Sequence, residues 1–199
     1  CRSVTIFVSL LLLAANGLLH AEPGADDLAV AARAAEAGGR REEAKQLCEA
    51  LLQKNPNAHD VRVFLGLLHA RDRHWDAARA ELRLVLKAKA DHRDARLGLI
   101  DVEIGAGEPH EALTESERGL ALSPRDPDLL LRKARALDKL RYSKEALQIA
   151  REAQREGADP VASRRLIGRL EPLALANKIG IDLQHEWFDK GREPWREAS

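Results

Sequence analysis

The side chains able to do chemistry in this 199-residue chain are spread along its length rather than gathered at one spacing. Seven histidines are scattered through it. His69 and His74 stand five residues apart across an expected turn, without the HExxH spacing that holds zinc on a helix. Asp91, His92, Arg93 and Asp94 fall together in an expected loop, where such residues cap helices or face water. No GxSxG elbow, P-loop or GxGxxG string occurs. Gly105-Ala106-Gly107 reads as a helix-ending turn, an ordinary use of glycine. The two cysteines are Cys1 and Cys48, and Cys48 occupies a core-facing helical slot where it reads as a small apolar residue. With no nucleophile–base pair and no metal or phosphate motif, the expected function is non-catalytic, without cofactor or metal.

The carboxylates do repeat. Asp26, Asp60, Asp94 and Asp128 are each 34 residues apart, and so are Ala44, Ala78, Ala112 and Ala146. Pro56 and Pro124 lie two periods apart with Ala90 between them, and Gly39 and Gly107 keep the same interval. A fixed period of this length marks stacked helical hairpins. The units read as 25–58, 59–92, 93–126 and 127–160. Within the second, Val61, Leu65, Leu68, Ala78, Leu82, Val85 and Leu86 follow a three-to-four-residue rhythm. Breaks are expected near Gly39, at Asp72–His74, at Gly107–Pro109 and at Arg141–Ser143. Asp126-Pro127-Asp128 supplies an N-cap acid, a proline for the first helical position and a charge matched to the helix dipole. Ala32, Gly66 and Ala134 hold the eighth position of their units, where two helices must approach closely, with Ile100 the bulky exception.

These residues resemble the tetratricopeptide repeat. Leu65-Gly66 and Ala78 match its pattern, as do Ala112 and Pro124. His69 and Glu103 stand where tyrosine is usual, and Cys48, Leu82, Ser116 and Ala150 where an aromatic is usual. The resemblance implies an all-α right-handed solenoid of four helix pairs. It implies a concave groove, lined by first helices, that takes a protein or peptide. Matched position by position, the groove residues are Asp60, Val63, Leu67, Asp94, Leu97, Asp101, Asp128, Leu131 and Arg135. The recurring aspartates have two readings. They match helix N-terminal dipoles, or they form an acidic ladder beside an apolar stripe, suited to a partner with basic and apolar side chains.

Lys plus Arg equals Asp plus Glu at 32 each, so the basic field of a nucleic-acid binder is missing and no nucleic acid is expected. Residues 1–21 have a positive start, an apolar run from Val4 to Ala15 and a small residue at Ala21, the parts of a secretory signal. Segment 161–176 reads as a capping helix that Pro172 ends or kinks. After it the rhythm changes. Ile179, Ile181, Leu183, His185 and Trp187 alternate with polar residues, so 177–199 reads as a short β-strand or hairpin tail. The strand ending Glu186-Trp187-Phe188, the charged turn after it and Pro194-Trp195 resemble the opening of the YaiO-type outer-membrane β-barrel family. That resemblance implies export, with repeats in the periplasm of a Gram-negative bacterium and contact with the outer membrane through the C-terminal β segment. The alternative is a soluble periplasmic repeat adaptor in envelope assembly or polysaccharide export.

Overall fold

The computed structural model describes residues 25–190, with side chains described over 28–175. The apolar N-terminal run and residues 191–199 lie outside the described residues. Nine helices occupy the described chain: α1 (Ala25–Ala37), α2 (Arg41–Lys54), α3 (His59–Arg71), α4 (Trp75–Ala88), α5 (Arg93–Ala106), α6 (Pro109–Leu122), α7 (Pro127–Lys139), α8 (Ser143–Arg155) and α9 (Pro160–Lys190). They fall into two compact units divided between Pro56 and Asn57. The first unit is the hairpin α1–α2, with Ala32, Ala35, Ala44, Cys48 and Leu51 buried. The second holds α3–α9 as three further hairpins and a final helix, packed as an all-α solenoid.

Each hairpin turns on the same device. Gly39, Arg73, Gly107 and Arg141 all adopt a left-handed backbone, with φ of 75°, 61°, 87° and 68°. The following N–H then reaches back to the carbonyl five residues earlier, as from Glu108 to Glu103 at 2.9 Å and from Tyr142 to Leu137 at 3.0 Å. Those bonds satisfy carbonyls that the helix end would otherwise leave open. Two of the four turns use glycine, the residue that adopts this conformation without strain. The other two use arginine.

The period-marking alanines Ala44, Ala78, Ala112 and Ala146 are fully buried, so a larger side chain at any of them would force its helix outward. Gly66 does the same work on a first helix. A Cβ built there would stand 3.0 Å from Leu82 Cγ. Leu82 also fills the space over Gly98, where a Cβ would lie 3.3 Å from Leu82 Cδ2. Gly98 thus supplies the close approach in the unit whose eighth position is Ile100, and Ile100 is free to be a fully buried core residue. One cluster joins Val63, Ala78, Leu82, Val85, Ala95, Leu99 and Val102. Another joins Leu130, Leu131, Ala134, Leu137, Ala146, Ala150, Leu166 and Leu170. Each buried leucine contributes about 1.5–3 kcal/mol of transfer free energy.

The tail departs from expectation. Residues 177–190 continue α9 as helix, so the strand expected over 177–188 is not found, and no strand occurs among the described residues. The ambiguity is physical. Ile179, Leu183 and Trp187 are four residues apart, so residues that alternate along a strand also satisfy helical spacing. Pro172 does not end the helix either. Its ring removes the N–H that would bond the Gly168 carbonyl, but both residues are exposed, where water can satisfy that group. The part of the expected β segment beyond Lys190 lies outside the described residues. Among the described residues no helix is long and apolar enough to cross a membrane.

Candidate functional site

The first helices of the second unit, α3, α5, α7 and α9, each touch the next and together form one face. The nine residues expected to line a groove all map to α3, α5 and α7, yet the structure gives them different roles. Val63, Leu97 and Leu131 are only 5%, 8% and 6% exposed and belong to the hydrophobic clusters. They shape the wall and do not form an exposed apolar stripe. Leu67, at 37%, is accessible.

The aspartates are engaged by neighbours in this fold. Asp60 Oδ1 lies 3.4 Å from His92 Nε2, while His92 Nδ1 accepts the N–H of Ala95 and caps α5. Asp94 lies 3.9 Å from Arg93. Asp128 accepts from Arg93 Nη2 at 2.6 Å. Asp101 accepts from Arg132 at 2.7 Å and from Arg135 at 3.1 Å, so two of the expected groove residues, Asp101 and Arg135, neutralise each other. The side chain of Asp26 lies outside the described ones. The four are thus unlike one another: Asp101 and Asp128 are held by arginines, whereas Asp60 and Asp94 keep side chains that are 88% and 73% exposed.

Arg93 is the centre of one such cluster. Its Nε and Nη2 donate to Asp126 at 2.6 and 3.0 Å. Asp126 Oδ1 meanwhile accepts the N–H groups of Asp128 and Leu129 at 2.9 and 3.1 Å, capping α7. Burial pushes the Asp126 carboxyl up, but the bonds from Arg93 and from the two N–H groups outweigh it and hold it below the usual carboxylate range. The same bonds, that to Asp126 first, hold Arg93 more firmly protonated.

Glu103 is the most deeply buried charge among the described residues, at 1% exposure, in the slot where the repeat usually carries tyrosine. Arg79 grips it with Nε at 2.9 Å and Nη2 at 2.7 Å, and Arg83 adds a bond of 3.3 Å. An ionic clamp between α4 and α5 thus replaces an aromatic contact. Arg96 and Glu115 form a second buried pair at 2.7 Å, extended by Arg118. None of these pairs emerged from reading the sequence. A signal was present for some of them: arginines and acids stand about one period apart, as at 93 and 126, 101 and 135, and 125 and 156.

At the C-terminal end of this face, an open pocket of about 400 Å³ lies between α7 and α9. Leu131, Val161 and Leu166 form its apolar surface, and Arg135, Arg165 and Arg169 bring positive charge to it. Asp159 also borders it, but its Oδ1 accepts the Ala162 N–H at 2.6 Å and caps α9. Only Leu131 and Arg135 of this pocket were expected groove residues. Burial, with a smaller push from Glu49, raises the Cys48 thiol in the first unit to about 11, which makes it a poor nucleophile.

Comparisons agree with this architecture. Residues 34–100 match the family model for the tetratricopeptide repeat. MamA from Desulfovibrio magneticus RS-1 superposes with a TM-score of 0.66 at 18% identity, covering 85% of this chain and 94% of MamA. TTC0263, a thermophilic repeat protein from Thermus thermophilus, gives 0.64 at 17% identity, covering 83% and 98%. A tetratricopeptide-repeat protein from Parabacteroides merdae ATCC 43184 gives 0.68 at 20% identity, covering 89% and 68%. No curated protein matches the sequence at a significant level. Residues 34–100 are similar to the tetratricopeptide repeat, and the fold of the described residues is that of a tetratricopeptide-repeat helical solenoid.

Proposed function

We propose that this chain is a non-catalytic scaffold, exported to the periplasm of a Gram-negative bacterium, that holds a protein or peptide on the face built by α3, α5, α7 and α9. The observation that carries this reading is the open pocket between α7 and α9, apolar at its base and edged by arginines. Such a surface suits gripping a chain, since a shallow open face neither excludes water nor brings a nucleophile to a base. Export is supported by the positive start, the apolar run from Val4 to Ala15 and the small Ala21. Two forms of the reading differ at the C-terminus. The helical course of 177–190 favours a soluble adaptor in envelope assembly or polysaccharide export. The form joined to an outer-membrane barrel keeps the support of Pro194-Trp195, a turn from which a strand can start.

Two measurements test the proposal. Fractionation of cells expressing the full-length protein is expected to place it in the osmotic-shock fraction, and recovery wholly in the cytosol removes export. Photo-crosslinking residues placed at Leu67 and Val161 are expected to capture one common partner. The same probe at Leu122, exposed at the end of the second helix α6, should capture none. Equal capture from all three positions, or capture only from Leu122, removes the groove reading.

A further inference from the structure

We propose that the segment held at the C-terminal end of this face is acidic, an internal stretch of chain whose aspartate or glutamate side chains sit on Arg165, Arg135 and Arg169. This deepens the scaffold reading above and rests on its binding face. It also reverses the charge that the recurring aspartates suggest when the sequence is read alone.

The distribution of charge across the face carries the inference. Asp101 is held by Arg132 and Arg135. Asp138 takes Arg169 at 2.5 Å, and Asp159 is turned to the N-terminus of α9. No acid remains to meet Arg165, which has no carboxylate partner among the described residues. Arg135 engages Asp101 through Nη1 alone, and Arg169 engages Asp138 through Nη2 alone, so each keeps N–H donors for a second carboxylate. Both are about half exposed or more, at 46% and 60% of the side chain. A guanidinium with unused donors, placed beside other guanidinium groups, favours a planar carboxylate that accepts two bonds at once.

The apolar surroundings choose between anionic partners. Val161 is 66% exposed beside Arg165, and Leu131 and Leu166 form the floor. A phosphate backbone would leave that surface without a partner, whereas an acidic residue next to a leucine or valine covers it while its carboxylate reaches the arginines. Arginines on two successive first helices favour side chains spaced along a segment over a single terminal carboxylate.

The test uses the full mature chain and fluorescence anisotropy. One labelled ten-residue peptide, capped at both ends, alternates Glu and Asp with Leu. A second replaces every acid with Lys, and a third probe is single-stranded DNA of matched charge. The acidic peptide is expected to bind and to weaken as salt is raised. Arg165→Glu is expected to weaken it by about tenfold or more, since one charged hydrogen bond is worth roughly that factor. Arg165 is exposed and has no carboxylate to lose, so circular dichroism of this variant should match the parent. Arg164→Glu, on the same turn but outside the pocket, should leave binding unchanged. Equal or tighter binding of the Lys peptide or the DNA overturns the proposal, as does an Arg165→Glu variant that binds normally. If crosslinks from Leu67 and Val161 still find a partner in that event, the scaffold reading stands and only the acidic assignment falls.

Discussion

Arg93 Nε donates to Asp126 Oδ2 at 2.6 Å, tying together residues 33 positions apart. One carboxylate therefore serves two interfaces. It caps α7 through two backbone N–H groups and anchors the start of α5 through Arg93. A solenoid has contacts only between neighbouring units, so each such tie carries a large share of the local coupling.

Asp126→Ala should lower stability by about 2 kcal/mol, the upper range for losing an N-cap, because it removes the arginine bond as well. Its pH dependence has a definite sign. The carboxyl is held below its ordinary value in the folded state, so its contribution is complete above the unfolded pKa of about 3.9 and disappears as pH falls through the folded value. Urea midpoints measured from pH 6 down to pH 2 should fall more steeply for the parent than for Asp126→Asn.

Arg73 and Arg141 hold positive φ where the other two hairpins have glycine. Arg73→Gly and Arg141→Gly should each stabilise the fold by about 1 kcal/mol, because a Cβ is unfavourable in that conformation. Gly107→Ala should destabilise by a similar amount, since its φ is 87° and no neighbour obstructs the new side chain. Thermal melts of the three variants check the sign in each direction.

Glu103→Ala should cost about 3 kcal/mol, because it empties a fully buried site and leaves Arg79, itself mostly buried, with Asp76 as its remaining carboxylate. The double variant Glu103→Leu with Arg79→Met should recover most of that loss. Additive losses in the double-mutant cycle would show that the pair is not the source.

Cys48 should resist alkylation in the folded protein. With its thiol pushed up to about 11, roughly one part in a thousand is thiolate at pH 8. Mass spectrometry of the Cys48 peptide after iodoacetamide treatment should show labelling at least about a hundredfold slower than in urea, the expected effect of adding burial to a raised pKa.

The tail shows where reading the sequence failed and why. Ile179, Leu183 and Trp187 serve either period, so alternation over a dozen residues could not choose between strand and helix. In the structure, a helix that begins at Pro160 continues through Pro172 to Lys190. The apolar groove positions were ambiguous for a different reason. Val63, Leu97 and Leu131 are apolar on first helices, and apolar residues there can face a ligand or the core. Packing against the neighbouring hairpins placed them in the core.

By itself the sequence determined the helical hairpins, their 34-residue period, the turn positions and the caps at Asp126 and Asp159. All of these rest on chemistry within a few residues: small side chains at close approaches, glycine at two of the four left-handed hairpin turns, and Asp126 beside Pro127. Only the tertiary structure decided which charges meet. Arg93 with Asp126, Asp101 with Arg135, and Arg79 with Glu103 are separated by 33, 34 and 24 residues, and each pairing depends on how one helix lies across another. That placement leaves Arg165 without an answering carboxylate among the described residues, which no count of a balanced composition could have shown.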